Sequence, residues 1–503
     1  MSFTSLQFIF LFLPISYLGF VLAHRFGGSK QALNFLAVIS LVFYAMWGLQ
    51  LLLILLLSLV LNFAIGNVIP NVADNKGLAK NLLLGGIAAN LGILGYLKYS
   101  NFFIDMSNQF AGTGFTHLDI AVPIGVSFFT FVQIGFLIDA YNGQLIKHNF
   151  ARYIVFAAFF PCVTAGPLVM QREMMEQTGD HNFKAFDLRR VAIGMTMFAM
   201  GLFKKIVLAD TIAPFADSVF SGAQQGLPFD MGTAWVGALC YTLQLYFDFS
   251  GYSDMAIGLA TVFAIKLPLN FDSPFKATNI SDFWRRWHMT MTRFFTAYVY
   301  SGLAMYGMRK GMAARAGRVS RFFLAAALPS FITFLCAGVW HGAGWTYIVY
   351  GAMHGTAIAT FLAWREYSKF RLPAPIAWLF TMLAVVCGLV MFRAPDVGTA
   401  LSLLGRMSGL VGATASGDAL AIDMAQAMSL IVILGAITLL LPNTQQVLHH
   451  DWPVVDTKPA EVAIDAGLVA WRPTLSSAFL TACIFTVAIS SIGSSSGFLY
   501  YKF

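Results

Sequence analysis

The chain has 503 residues, 58% of them hydrophobic and only 11% charged, against about 25% charged in an average soluble domain. So few charges cannot cover a soluble protein of this size. The net charge of +8 is spread over short loops, so the balance excludes a nucleic-acid face and calls for an all-α integral membrane protein with lipid as its first partner.

In chain order, the first uncharged run is 3–23. No Lys or Arg precedes it, and it is too long for a signal-peptide core, so it reads as a retained span. Residues 31–69 carry no charge and suit two helices with a turn near Trp47-Gly48. Further apolar runs lie at 81–97, 120–138, 153–170, 191–203, 231–247, 322–340, 344–364, 374–392, 425–441 and 475–492. Together they predict a polytopic chain of about 11–14 transmembrane or re-entrant helices. The run 255–265 is too short to span and is expected to be re-entrant or broken. His24, Arg25 and Lys30 follow the first span, and Lys76 and Lys80 the third. The positive-inside rule then puts the N-terminus outside the cytoplasm.

By texture the chain divides into N-terminal helices at 1–115, a core at 116–365 rich in polar interruptions, and C-terminal helices at 366–503. The last part contains a polar loop at 442–473, with Asp451, Asp456, Lys458, Glu461 and Asp465. No repeat is evident, which argues against the common transporter folds. The five cysteines, Cys162, Cys240, Cys336, Cys387 and Cys483, form no close pair. That excludes CxxC metal or redox motifs and predicts buried structural thiols. No metal site is expected.

The interruptions carry the functional signal, because an ionisable group at membrane depth faces the bundle interior. Asp248, Ser250, Tyr252 and Asp254 lie in Phe247–Asp254, read either as a capped helix end or as the lining of a cavity. Asn270 lies in a turn-rich connection between Pro268 and Pro274. A helix capped by Asn279 or Ser281 then carries Asp282, Trp284, Arg285, Arg286, Trp287 and His288, with Trp284 and His288 sharing a face at i and i+4. Its bland reading is an interfacial amphipathic helix. Basic residues cluster at Arg309, Lys310, Arg315, Arg318 and Arg321, facing anionic lipid, an acidic carrier protein or a phosphorylated donor. His341 follows Trp340 among Gly338, Gly342 and Gly344, and His354 follows down the next helix. No P-loop, HExxH or GxSxG pattern appears, so histidine as general base is the chemistry on offer.

Taken together, these residues resemble the membrane-bound O-acyltransferase family, in the bacterial branch with alginate O-acetylase and the teichoic-acid D-alanyl transfer protein. The resemblance is carried by 122–131, by Phe159-Phe160-Pro161 with Ala165-Gly166-Pro167, by Gly201-Leu202-Phe203-Lys204-Lys205, by Phe247–Asp254, by 267–288 and by Val339-Trp340-His341-Gly342. It implies a ring of tilted helices around a thin central tunnel. A thioester donor, acetyl-CoA or an acyl carrier protein, enters from the cytoplasm, with no tightly bound cofactor. An exported polysaccharide or envelope polymer, or an extracytoplasmic acyltransferase partner, receives the acyl group, most simply acetyl, at the inner membrane of a bacterial cell. It also implies that His341 is the base and that His288 orients it or the thioester. Two departures bear on acceptor and acyl group. Met170 stands where the branch has Arg, with Arg172 two later, and Ser301-Gly302-Leu303 replaces a Gly-Gly-Asn-Arg stretch. D-alanyl transfer from a carrier protein is the variant within the same chemistry. A proton-coupled transporter or flippase using Asp248, Asp254 and the histidines is the alternative of another class.

Overall fold

Backbone polar groups find no water in hydrocarbon, so a spanning chain must close its hydrogen bonds within itself. In the computed structural model the described residues are accordingly helical, with no strand among them. Residues 1–179, 186–410, 420, 422–448, 470–494 and 497–499 are described. The five acidic and basic residues of the expected 442–473 loop lie outside them.

Six helical segments are long and apolar enough to cross a membrane: Phe8–Ala45, Leu49–Asn71, Lys76–Ala111, Leu188–Gln224, Arg318–His341 and Ala374–Arg393. The surface is apolar, as lipid allows. Leu53, Leu57 and Val60 of the second segment are 58%, 67% and 54% exposed. The first segment is two legs rather than one rod. Gly28 adopts φ +67°, a left-handed turn that glycine enters without a Cβ penalty. The legs fold back so closely that a side chain at Gly19 would collide with the Phe35 ring. The second and third segments are joined by a reciprocal amide pair. Asn62 Nδ2 donates to Asn90 Oδ1 at 3.1 Å, and Asn90 Nδ2 to Asn62 Oδ1 at 2.6 Å. Each polar group thereby satisfies the other away from lipid.

Three expectations are corrected. The short run 255–265 is not a broken element, because it ends one continuous helix, Met231–Val262, of 32 residues. Glycines at a seven-residue spacing explain how this polar-rich helix packs closely and stays buried. Gly194 and Gly201 on Leu188–Phe203 face Gly258 and Gly251, and a Cβ at Gly201 would come within 2.5 Å of the Gly251 carbonyl oxygen. The backbones touch, and dispersion over that contact holds the pair. Conversely, the run 153–170 is helical only to Ala158. Pro161, Gly166 and Pro167 break it, and the remainder is irregular but buried. Phe160 N–H donates to Ser40 Oγ at 3.2 Å and Leu168 N–H to Thr290 Oγ1 at 3.1 Å. The cysteines are free, but only Cys162 and Cys240 are buried; Cys336 and Cys483 face outward.

Candidate active site

His341 is the last residue of Leu328–His341, and Gly342 ends the helix in an extended conformation. A helix C-terminus leaves carbonyls without partners and carries partial negative charge. Here a π-helical turn, Gly95–Tyr99, satisfies them. Lys98 Nζ donates to the carbonyls of Trp340 at 3.2 Å and His341 at 2.9 Å, and to Ser127 Oγ at 3.2 Å. Tyr99 donates its hydroxyl to the Val339 carbonyl. Three consecutive carbonyls are thus held from one turn. The neighbouring Trp345–Tyr367 helix packs against the same end because Gly338 lies against Gly351, leaving no room for a side chain at either position.

The His341 ring is buried, with Phe392 edge-on at 5.1 Å, Trp340 at 4.9 Å and His288 at 6.3 Å between centroids. It lines a cavity of about 380 Å³ with Lys98, residues 122–128, Thr164, Trp340 and Tyr347.

His288 does not continue the Trp284 helix. That helix, Ile280–Arg286, is capped by Asn279 Oδ1 on the Asp282 N–H at 2.8 Å and stops before Trp287. His288 takes φ +45° and starts the next helix, Met289–Phe295. The expected shared face of Trp284 and His288 is therefore broken. The turn aims His288 at Asn270, whose Oδ1 lies 3.0 Å from Nδ1. The same oxygen accepts from the Thr290 hydroxyl at 2.9 Å and its N–H at 3.4 Å, while Asn270 Nδ2 donates to Ser253 Oγ at 3.0 Å. An oxygen that already accepts leaves His288 Nδ1 as donor, which puts the neutral ring's lone pair on Nε2.

Trp284 goes elsewhere. Its indole N–H donates to His354 Nδ1 at 3.3 Å, and the far nitrogen of His354 abuts Gly388, where a Cβ would collide with it. His354 and His341 are separated by Tyr350, 4.6 Å from the first ring and 6.2 Å from the second. Trp284 and Arg285 line a second cavity of about 350 Å³, with Phe295, Ser330, Thr333, Ala337 and Arg365. Both cavities use one helix. Thr333 and Ala337 face the second, while Trp340 and His341 face the first. Ala337 and His341 are one turn apart, about 6 Å along the axis.

The remaining candidates line neither cavity. Asp248 pairs with Lys205 at 2.8 Å, and Lys205 also with Asp210 at 2.7 Å. Asp254 pairs with Lys204 at 2.6 Å and accepts from Thr444 at 2.7 Å. Both carboxylates sit mid-helix, so neither caps a helix end. Tyr252 bonds Thr164 and stacks on Phe3 at 5.2 Å. Ser250 is buried in the same helix. Asp282 pairs with Arg286 at 3.0 Å, and Trp287 stacks on Phe283 at 5.5 Å. Lys98, Tyr347 and Arg365 went unnoticed in the sequence. Lys98 carried a signal, since it is a lone lysine deep in an apolar span.

Residues 119–394 match the membrane-bound O-acyltransferase family. The chain belongs to this family. It is 37% identical over 434 residues to a peptidoglycan O-acetyltransferase of Helicobacter pylori, covering 80% of this chain and 79% of the relative. It is 33% identical to a probable alginate O-acetylase of Pseudomonas putida along the whole length of both. A teichoic acid D-alanyltransferase of Streptococcus thermophilus is 29% identical over 49% of this chain and 58% of its own. The chain is therefore a multi-pass membrane O-acyltransferase.

Proposed function

We propose that this chain moves an acetyl group from a cytoplasmic thioester, acetyl-CoA or an acyl carrier protein, to a hydroxyl of an exported polymer or of an extracytoplasmic partner protein at the bacterial inner membrane. The observation that carries the reading is the position of His341, which lines one cavity and stands one turn from Ala337, which lines another. Orientation follows from charge. Arg318 of the basic cluster pairs with Glu366 at 2.7 Å, beside Arg365 at the mouth of the second cavity. Positive-inside bias makes that mouth cytoplasmic and the first cavity its opposite. Arg285, with no carboxylate partner among the described residues, suits a phosphate of a donor.

In the proposed reaction the acceptor hydroxyl lies against His341 and attacks the thioester carbonyl. The new C–O ester bond forms as the C–S bond breaks, and His341 takes the hydroxyl proton and returns it to the leaving thiolate. His288, held through Nδ1 by Asn270, stands beside it, 6.3 Å away between ring centroids. Lys98 keeps the end of the His341 helix fixed. D-alanyl transfer uses the same steps, and the likeness to a D-alanyltransferase favours it as the second reading. The test is purified protein in proteoliposomes with labelled acetyl-CoA and a polysaccharide acceptor. Label should enter the acceptor with the unmodified chain and fall by about 10²–10⁴-fold with His341→Ala. A folded His341→Ala chain that keeps full transfer would overturn the assignment. Labelled solute crossing without covalent product would favour transport.

A further inference from the structure

A third cavity, an apolar groove of about 670 Å³, opens between the Trp345–Tyr367 and Ala374–Arg393 helices. Two of its walls come from positions 357, 360, 361 and 364 on one helix and 377, 380, 381 and 384 on the other, and Thr278, Asn279 and Ile280 also line it. Each set falls at i, i+3, i+4 and i+7, so one face of each helix builds one wall, about 10 Å long. Ala357, Ala377 and Ala384 leave the space, and Phe361 and Phe380 give it an apolar lining. The groove ends at two guanidiniums, Arg365 and Arg371. Both are exposed, and no carboxylate pairs with either among the described residues. Arg371 gives one N–H to the Ser368 carbonyl at 3.1 Å. Trp364 sits at the same rim, the level at which indoles meet headgroups.

A soluble anion would use the rim and leave the trough empty. A neutral lipid would fill the trough and leave two cations at the rim. One ligand class answers both features. We propose that the groove holds an acyl chain of an anionic glycerophospholipid from the cytoplasmic leaflet, with its phosphate at Arg365 and Arg371. This site does not depend on the acyl-transfer reading. It adjoins the second cavity, because Arg365 lines both. A bound headgroup therefore sets where that guanidinium stands.

The full chain, purified in detergent, is equilibrated with equimolar dioleoyl-phosphatidylglycerol and dioleoyl-phosphatidylcholine, and retained lipid is counted by native mass spectrometry. One phosphatidylglycerol per chain is expected, preferred by about 25-fold, at roughly fivefold for each guanidinium. Arg365→Gln with Arg371→Gln should remove the preference, Arg365→Lys with Arg371→Lys should keep it, and Ala377→Phe with Ala384→Phe should remove retention with both arginines present. Equal retention of the two lipids by the unmodified chain would overturn the site, a result that needs no variant to fold. So would a preference that survives the filled groove, or displacement of the lipid by inorganic phosphate alone.

Discussion

Lys98 and His341 are 243 residues apart in the chain, and the ammonium of one donates to the backbone carbonyl of the other at 2.9 Å. The contact is to the backbone, so it fixes where the helix ends and leaves the imidazole for chemistry. Lys98→Met is expected to lower turnover by about 10- to 100-fold, the worth of hydrogen bonds to a charged group. The chain should remain folded, with donor KM near its original value. Initial rates over a range of donor concentration check this, and a variant that raises KM alone would contradict it.

The His288–Asn270 contact predicts non-additivity. His288→Ala and Asn270→Leu should each slow transfer, and the double variant should be little worse than either single one, because both remove one oriented nitrogen. A double-mutant cycle on turnover reads the coupling. Strictly additive losses would mean that Asn270 acts elsewhere.

In the proposed reaction Trp284 sets a limit on the donor. Its ring is held by His354 behind and lines the second cavity in front. Trp284→Ala should let propionyl and butyryl thioesters compete with acetyl. Rates across a series of acyl-CoA lengths test this, with an unchanged profile as the contrary result.

The Asp248–Lys205 ion pair, buried on both sides, predicts a loss of stability when it is broken. Lys205→Met strands Asp210 and Asp248, both ion-paired to it in the fold. Breaking a buried pair from one side costs about 3–5 kcal/mol. The measurement is thermal unfolding in detergent followed by size-exclusion chromatography, where the melting point should drop sharply. A variant with normal melting and no turnover would return Asp248 to the active site.

The sequence could reveal the class of the protein because hydrophobicity is read directly against lipid. His341, Trp340 and His288 also stood out in the sequence as polar or aromatic groups beside glycines or turns, and the fold brings their rings within 6.3 Å of one another. What failed was local geometry at polar interruptions. Asp248 and Asp254 suggested a helix end or a cavity lining because their partners, Lys205 and Lys204, lie on another stretch of helix that the Gly201–Gly251 and Gly194–Gly258 contacts bring near. Trp284 and His288 looked like one face because a single left-handed residue, His288 itself, turns the chain between them. Arg365 gave no sign in the sequence, because its position beside two cavities is a property of packing.

The ring of Trp340 lies against Phe128, Phe131, Phe295 and His288, between the two cavities. In the proposed reaction, with water filling both cavities, most of the membrane voltage would fall across these few rings, about 2.3 kcal/mol per elementary charge for each 100 mV. An imidazolium formed at His341 would stand at the edge of that drop, and turnover would then answer to the energised state of the cell.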